Sequence, residues 1–263
     1  MVDEMALLSP DELAPFSILE VDPARPALLV CDHASNRIPK RLNNLGVAPT
    51  DLDTHFALDI GAGALTRYLS RVLHLPAVLA GYSRLVVDCN RRLDDPTAFP
   101  IDDDTVVPGN RDLDHADRQM RADALYWPYH HAIRDELARL EAPGAAPALI
   151  AMHSFTPVLR NDARPWHIGI LWDSDPRMSM PLIEELRAIP DVMVGDNEPY
   201  SGRDPHDFTI DHHGEAQGLP HVSIEIRQDL IETDEGVRHW GDLLAGVLAP
   251  ILDDVELYSL WTQ

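Results

Sequence analysis

Residues 26–37 read PALLVCDHASNR. The apolar run from Pro26 to Cys31 has the length of a strand buried on both faces, and the polar stretch Asp32 to Arg37 closes it. The same grammar recurs at Ala77 to Ala80, Arg84 to Asp88 (RLVVD), Ala148 to Met152 (ALIAM), His167 to Trp172 (HIGILW), Val192 to Gly195 and Val222 to Ile226 (VSIEI). Between these runs the period changes. From Asp53 onward Leu58, Leu65, Leu69 and Val72 recur at helical spacing, with Phe56, Ile60 and Ala64 beside them, and Pro76 predicts a stop near His74. Further helices are expected over roughly Asp114 to Leu140, kinked or split at Pro128, over Met180 to Ala188, and over Glu235 to Leu252. Strands alternating with helices predict an α/β fold, its sheet covered on both faces, in a single domain spanning residues 1–263. Gly61-Ala62-Gly63 sits inside the helical pattern and lacks the third glycine of a dinucleotide loop, so it reads as a site of close packing. The segment Arg91 to Asn110, rich in proline and acidic residues, reads as a long loop able to fold over a site.

The chain has 263 residues and carries 44 Asp+Glu against 21 Lys+Arg, a formal charge of −23. That balance argues against nucleic acid or an anionic membrane as partner, since phosphates attract basic surfaces. It leaves open a small anion caught by a few arginines. No uninterrupted apolar run reaches the ~18 residues of a bilayer span. Cys31 and Cys89 lie in apolar runs and read as buried thiols of a reducing compartment. The acidic start Met1-Val2-Asp3-Glu4 lacks the layout of a signal peptide, so a cytoplasmic location is expected. GxxxxGK[ST], CxxC, GxSxG and HExxH are all absent, which removes the P-loop, redox, nucleophile-elbow and zincin readings.

Polar and ionisable residues collect where the predicted strands end, the place where open α/β sheets bind ligands. PALLVC leads into Asp32-His33, RLVVD into Cys89-Asn90-Arg91-Arg92, and ALIAM into His153-Ser154, while VSIEI carries Glu225 with Arg227 beyond it. Neutral imidazoles from separate strand ends can share one Zn²⁺, and a glutamate nearby can take a proton from water at that ion. A single strand-end histidine is more often a hydrogen-bonded structural residue; the matching positions of His33 and His153 bring the metal reading level with that one. Glu225 lies in an apolar strand, where an unpaired carboxylate is costly. Arg227 shares its face at i, i+2 but makes a poor partner, and a water at a metal site is a reasonable alternative. The adjacent pairs His130-His131 and His212-His213 are unsuited to one ion, and His74, His115 and His239 read as surface helix positions.

The strings CDHASNRIP (31–39), ALDIGAGAL (57–65), YSRLVVDCNRR (82–92), PGN (108–110), WPYHHAI (127–133), MHSFTPV (152–158), RPWHIGIL (164–171), GDNEPY (195–200) and GLPHVSIEIRQDLI (218–231) resemble the N-formylglutamate amidohydrolase family. The resemblance extends from about Ala27 to Trp240. It implies kinship with the zinc carboxypeptidases and with the aspartoacylase and succinylglutamate desuccinylase group, hence a three-layer α/β/α sandwich around a mixed sheet. It also implies one zinc ion per chain, with His33 and His153 as ligands and Glu225 as general base. Asn90-Arg91 is similar to the pair that holds a substrate carboxylate in related deacylases, a task suited to the planar guanidinium fork. One position departs from the wider group: zinc carboxypeptidases have His-x-x-Glu, whereas Asn36, a poor zinc ligand, stands three residues after His33. The missing ligand is then sought at the start of the first helix, where His55 and Asp59 lie four apart on one face; the choice among His55, Asp59 and neither stays open.

The function implied is metal-dependent hydrolysis of an N-acyl amide, formyl in the simplest case, of an acidic amino acid such as glutamate, a step of amino-acid catabolism. Arg91, with Arg84 or Arg227, would orient the carboxylates of this small anionic N-acyl amino acid. The alternatives are a hydrolase of larger acyl or peptide bonds and a metal- or ligand-binding protein that keeps the fold without turnover.

Overall fold

A computed structural model describes residues 6–101, 106–141, 145–204 and 207–262. Its strands are β1 (Phe16–Leu19), β2 (Ala27–Cys31), β3 (Ala77–Ala80), β4 (Ala148–Phe155), β5 (Val158–Leu159), β6 (Asp162–Ala163), β7 (Ile168–Leu171), β8 (Val194–Asp196) and β9 (His221–Arg227). Its α-helices are α1 (Pro49–Leu52), α2 (Ala62–Leu73), α3 (His115–Arg121), α4 (Trp127–Leu140), α5 (Ser179–Arg187), α6 (Phe208–His213) and α7 (Asp234–Asp253). Seven strands form one sheet in the order β1-β3-β2-β4-β9-β7-β8, and β5 and β6 make a separate hairpin. The central strands β3, β2, β4 and β9 run parallel, and antiparallel neighbours at β1 and β7 make the sheet mixed.

Alternate residues of the central strands feed two cores. Leu29, Ile150 and Ile224 pack with α2, α5 and α7 on one face, while Leu28, Val30, Leu149 and Ala151 pack with α4 and its neighbours on the other. This is the three-layer α/β/α arrangement expected. No helix among the described residues is long and apolar enough to cross a membrane. Both cysteines are buried and free.

Several expectations shift. Helix α2 begins at Ala62 rather than near Asp53, because Gly61 adopts a left-handed conformation (φ 80°) against the Ile231 carbonyl, where a Cβ would overlap. Gly63 approaches Ala34 closely enough that an added Cβ would lie 3.1 Å from its carbonyl oxygen, so α2 sits directly against the loop bearing His33. The residues RLVVD form no strand. Leu85, Val86 and Val87 are buried, but their surroundings are turns whose carbonyls accept from side chains: Leu85 O from Asn110 Nδ2 (2.8 Å) and Val86 O from Arg121 Nη1 (3.0 Å). An apolar run reports burial, not a ladder. Strand β1, antiparallel to β3, has no counterpart among the expected strands. The helix expected over 114–140 is divided into α3, a π-helical turn at Ala122–Tyr126, and α4 with Pro128 in its first turn. In the segment 91–110, residues 102–105 lie outside the described ones; of the rest, Ala98, Phe99, Val107 and Asn110 are buried in the molecule rather than spread over a site.

Candidate active site

The carboxyl ends of β2 and β4 and the turn before α2 converge on three buried side chains. His33, Asp59 and His153 each present a ligand atom, and these atoms lie within 4.8 Å of one another. Asp59 is brought there by its backbone: its N–H donates to His33 O (3.0 Å), and Ser154 Oγ donates to Ile60 O (2.8 Å), pinning the turn between the two strand ends. Asp59 Oδ2 is 3.3 Å from His33 Nδ1 and 2.9 Å from His153 Nδ1. The two imidazoles are tilted by 61° with centroids 5.2 Å apart.

The far sides of both rings face carboxylates. His33 Nε2 lies 2.7 Å from Asp88 Oδ1, and since a carboxylate only accepts, the ring nitrogen donates there. His153 Nε2 is 3.2 Å from Asp32 Oδ2, within ion-pair range though off the line of a hydrogen bond. Asp32 in turn accepts from Thr209 Oγ1 (2.7 Å), and Asp88 accepts from the Asn90 N–H (2.8 Å). Carboxylates behind both histidines are the arrangement that orients metal-ligating imidazoles. The donor set fits a divalent ion: the Asp59 oxygen lies 3.3 and 2.9 Å from the two ring nitrogens, near the ~3.3 Å edge of a tetrahedron with ~2.0–2.1 Å bonds, and all three atoms fall within 4.8 Å of one another.

Charge in this cluster is tightly shared. Burial alone would raise the Asp59 carboxyl, but Arg84, His33 and His153 hold it well below the usual carboxylate range. Burial opposes protonation of His153, yet Asp32 and Asp59 hold it well above an ordinary histidine. Burial and Arg84 likewise pull His33 down, and Asp88 and Asp59 outweigh them. Burial raises Asp32 and the adjoining imidazoles prevail, bringing it to about 2.

Glu225 stands opposite His153 in the β4–β9 register. It is buried and its Oε2 has no hydrogen-bond partner among the described residues. Burial pushes its pKa up to about 7, with His153 pulling the other way and Asp59 reinforcing the rise.

The remaining sequence candidates divide. His55 and Asp59 do not share a helix face, because residues 53–61 are turns; His55 Nδ1 is 3.9 Å from Asp59 Oδ1 and lies outside the three-residue group, and burial lowers it to about 4. Arg84 is at the cluster, with Nη2 in contact with Asp59 Oδ1 and Nε unpartnered among the described residues. Asn90 is turned to α6, accepting the Thr209 N–H on Oδ1 (3.0 Å), and Arg91 donates to Asn90 O (2.9 Å). Arg227 is engaged elsewhere, forked onto Asp229 at 2.8 and 3.2 Å. One histidine of each adjacent pair meets the other across α4 and α6, with His130 Nδ1 3.1 Å from His213 Nε2; they border a cavity of about 860 Å³ that the cluster does not line. His74, His115 and His239 are exposed. Sequence reasoning missed Asp32 and Asp88, whose only signal was position in the quoted strings, Asp32 next to His33 and Asp88 two residues before Asn90. It also gave no role to Arg164 and Tyr200.

The N-formylglutamate amidohydrolase family model matches residues 25–232. Over 236 residues the chain is 27% identical to an N-formylglutamate deformylase of Pseudomonas aeruginosa, covering 81% of this chain and 84% of that protein. The crystal structure of a gene product from Agrobacterium tumefaciens superposes with a TM-score of 0.90 at 34% identity, over 95% of this chain and 99% of that one. N-formylglutamate amidohydrolase from Ralstonia eutropha shares the fold, with a TM-score of 0.68 at 22% identity over 93% of this chain and 99% of that one.

Proposed function

Because the chain belongs to the N-formylglutamate amidohydrolase family, we propose that it hydrolyses the N-formyl amide of an acidic amino acid, glutamate foremost, to formate and the free amino acid. The observation that carries this reading is a buried His33–Asp59–His153 group with Glu225 in register beside it, its Oε2 without a hydrogen-bond partner among the described residues. His33 and His153 through Nδ1, and Asp59 through Oδ2, would hold one zinc ion, with Asp88 and Asp32 fixing the rings from behind. When bound, such an ion acidifies water and polarises an acyl carbonyl.

Glu225 is the base. It takes a proton from the attacking water as the new C–O bond forms at the formyl carbon, then hands it to the departing nitrogen as the C–N bond breaks. A carboxyl with a pKa of about 7 is suited to both transfers near neutral pH. Arg84 keeps Asp59 Oδ1 occupied, so that Oδ2 is the oxygen facing the imidazoles, and its free Nε is a donor left for a substrate oxygen. Arg91 takes a substrate carboxylate. The test is formate release by the zinc-reconstituted protein from N-formylglutamate, compared with N-acetyl and N-succinyl glutamate and the aspartate analogues. Faster release of acetate or succinate would overturn the formyl assignment.

A further inference from the structure

Arg164 follows the β5–β6 hairpin and folds back on the end of β4, where its N–H donates to Pro157 O (2.9 Å). It is 8% exposed, yet its only polar side-chain partners among the described residues are two neutral hydroxyls, Tyr200 at 2.9 Å and Thr156 at 3.4 Å. Its guanidinium lies over the rings of Tyr200 (4.8 Å) and Phe155 (5.8 Å). Three half-buried arginines meet carboxylates, Arg84 at Asp59, Arg177 at Asp175 and Arg227 at Asp229. The other buried arginine, Arg121, has three amide and carbonyl oxygens accepting from it, whereas Arg164 has only the two hydroxyls. A buried cation is costly unless an anion answers it, and two aromatic faces return only part of that cost.

The position of Arg164 gives the missing anion an address. Phe155 lies two residues after His153 on β4, and Thr156 follows it. The charge of Arg164 is felt at His55, and Tyr200 is in electrostatic range of both Glu225 and Arg84. A substrate such as N-formylglutamate brings two carboxylates into a protein carrying −23, so a single arginine leaves one of them unanswered.

We infer that Arg164, aimed by Tyr200 and Phe155, is a specificity-determining residue that receives one of the two carboxylates of the substrate. The identity of the substrate rests on the amidohydrolase reading; the capture of a carboxylate by Arg164 does not. The planar fork of the guanidinium accepts a carboxylate in bidentate fashion, and stacking on Tyr200 fixes the plane in which it does so.

The experiment uses the full-length zinc-loaded protein and two readouts. Calorimetric titration with glutarate, a dicarboxylate without a scissile bond, should weaken by about 10- to 100-fold in Arg164→Gln, with zinc content unchanged. In turnover, Arg164→Gln should raise KM for N-formylglutamate by a similar factor and leave kcat within a few-fold. N-formylglutamine and N-formylisoglutamine each lack one carboxylate, so one of the two should be indifferent to the substitution and the other should carry the full loss. Equal losses on both, or unchanged glutarate affinity, would overturn the inference. If Arg164→Gln does not fold, Tyr200→Phe should give the same selective pattern at smaller amplitude, and a uniform effect there overturns it equally. A wild-type protein that binds glutarate through Arg164 but does not hydrolyse N-formylglutamate would sink the amidohydrolase reading and leave the carboxylate site standing.

Discussion

His153 and Glu225 face one another across the parallel β4–β9 pair. One hydrogen-bonded register therefore sets the spacing between a metal-ligand candidate and a base candidate. A slip of one residue in β9 would turn Glu225 to the face of Val222, Ile224 and Ile226, which is packed in the core beneath α2 and α7. The burial that makes this register unambiguous also raises the pKa of Glu225, so the same packing supplies both position and protonation.

The first prediction concerns metal uptake. Asp59, Asp32 and Asp88 hold His33 and His153 protonated in the metal-free protein to a pH above that of an ordinary histidine. A divalent ion needs the Nδ1 lone pairs, so zinc binding should release protons near pH 7, and apparent affinity should fall by up to ~10-fold per unit of acidification for each proton displaced. Calorimetry in buffers of different ionisation enthalpy reads the count. His33→Ala, His153→Ala and Asp59→Ala should each lose most bound zinc; full zinc content in all three, or no proton release, would reject the site.

A second prediction isolates the base. Glu225→Gln should retain zinc and lower kcat by ~10²–10⁴. With Glu225 as the proposed base, its ionised form is the active one, so kcat/KM in the wild type should rise with pH through an acid limb. That limb should lie at or below about 7, because a bound dication favours the carboxylate over the metal-free value. For stability the sign is opposite. The folded value exceeds the ordinary 4.5, the folded state holds more protons between about 4.5 and about 7, and metal-free stability should decline as pH rises through that window. Glu225→Gln should abolish the limb and flatten the decline below about 6.5, above which His33 and His153 also titrate; a variant that keeps the limb places the titrating base elsewhere.

The sequence carried the strand ends well, because buried parallel strands are continuous apolar runs and the residues after them are conspicuously polar. It carried His33, His153 and Glu225 for that reason. It did not carry Asp59 as a turn residue, since ALDIGAGAL keeps a helical period up to a left-handed glycine whose missing Cβ makes room for the Ile231 carbonyl, far away in the chain. Nor did it distinguish the strand-like RLVVD from a packed turn, because the partners that satisfy its carbonyls, Asn110 and Arg121, come from another segment. Arg164 and Arg227 were indistinguishable as letters. Only the structure separates a guanidinium held by Asp229 from one held by hydroxyls and rings.

Arg91 supplies a third prediction. Its turn lies directly after Asp88, the carboxylate behind His33, and the fork of a guanidinium is what a substrate carboxylate needs. Arg91→Lys keeps the charge and loses the fork, so KM for N-formylglutamate should rise while zinc stays bound. Arg91→Met should do so more severely, by ~1.5–3 kcal/mol. An N-formyl amino-acid amide with no carboxylate should barely respond to either. Equal losses on charged and uncharged substrates would make Arg91 a support of the fold.

Arg121 supplies the last. It is buried at 2% exposure at the end of α3, and burial lowers its pKa to about 10. Nη1 donates to Val86 O (3.0 Å) and Asn110 Oδ1 (2.6 Å), and Nη2 donates to Gly109 O (2.9 Å). These bonds hold the non-strand segment 85–87 in place, and Asp88, the acceptor behind His33, comes next in the chain. Arg121→Met fills much of the volume but strands three acceptors, so the protein should lose ~2–5 kcal/mol, read as a lower urea midpoint at unchanged m-value. Zinc affinity should weaken as well, because Asp88 would no longer be held to orient the imidazole, and by less than the ~10- to 100-fold expected for removing such an orienting carboxylate outright in Asp88→Ala. If Arg121→Met destabilises the fold while zinc affinity is untouched, the segment 85–87 buttresses the core and does not tune the site.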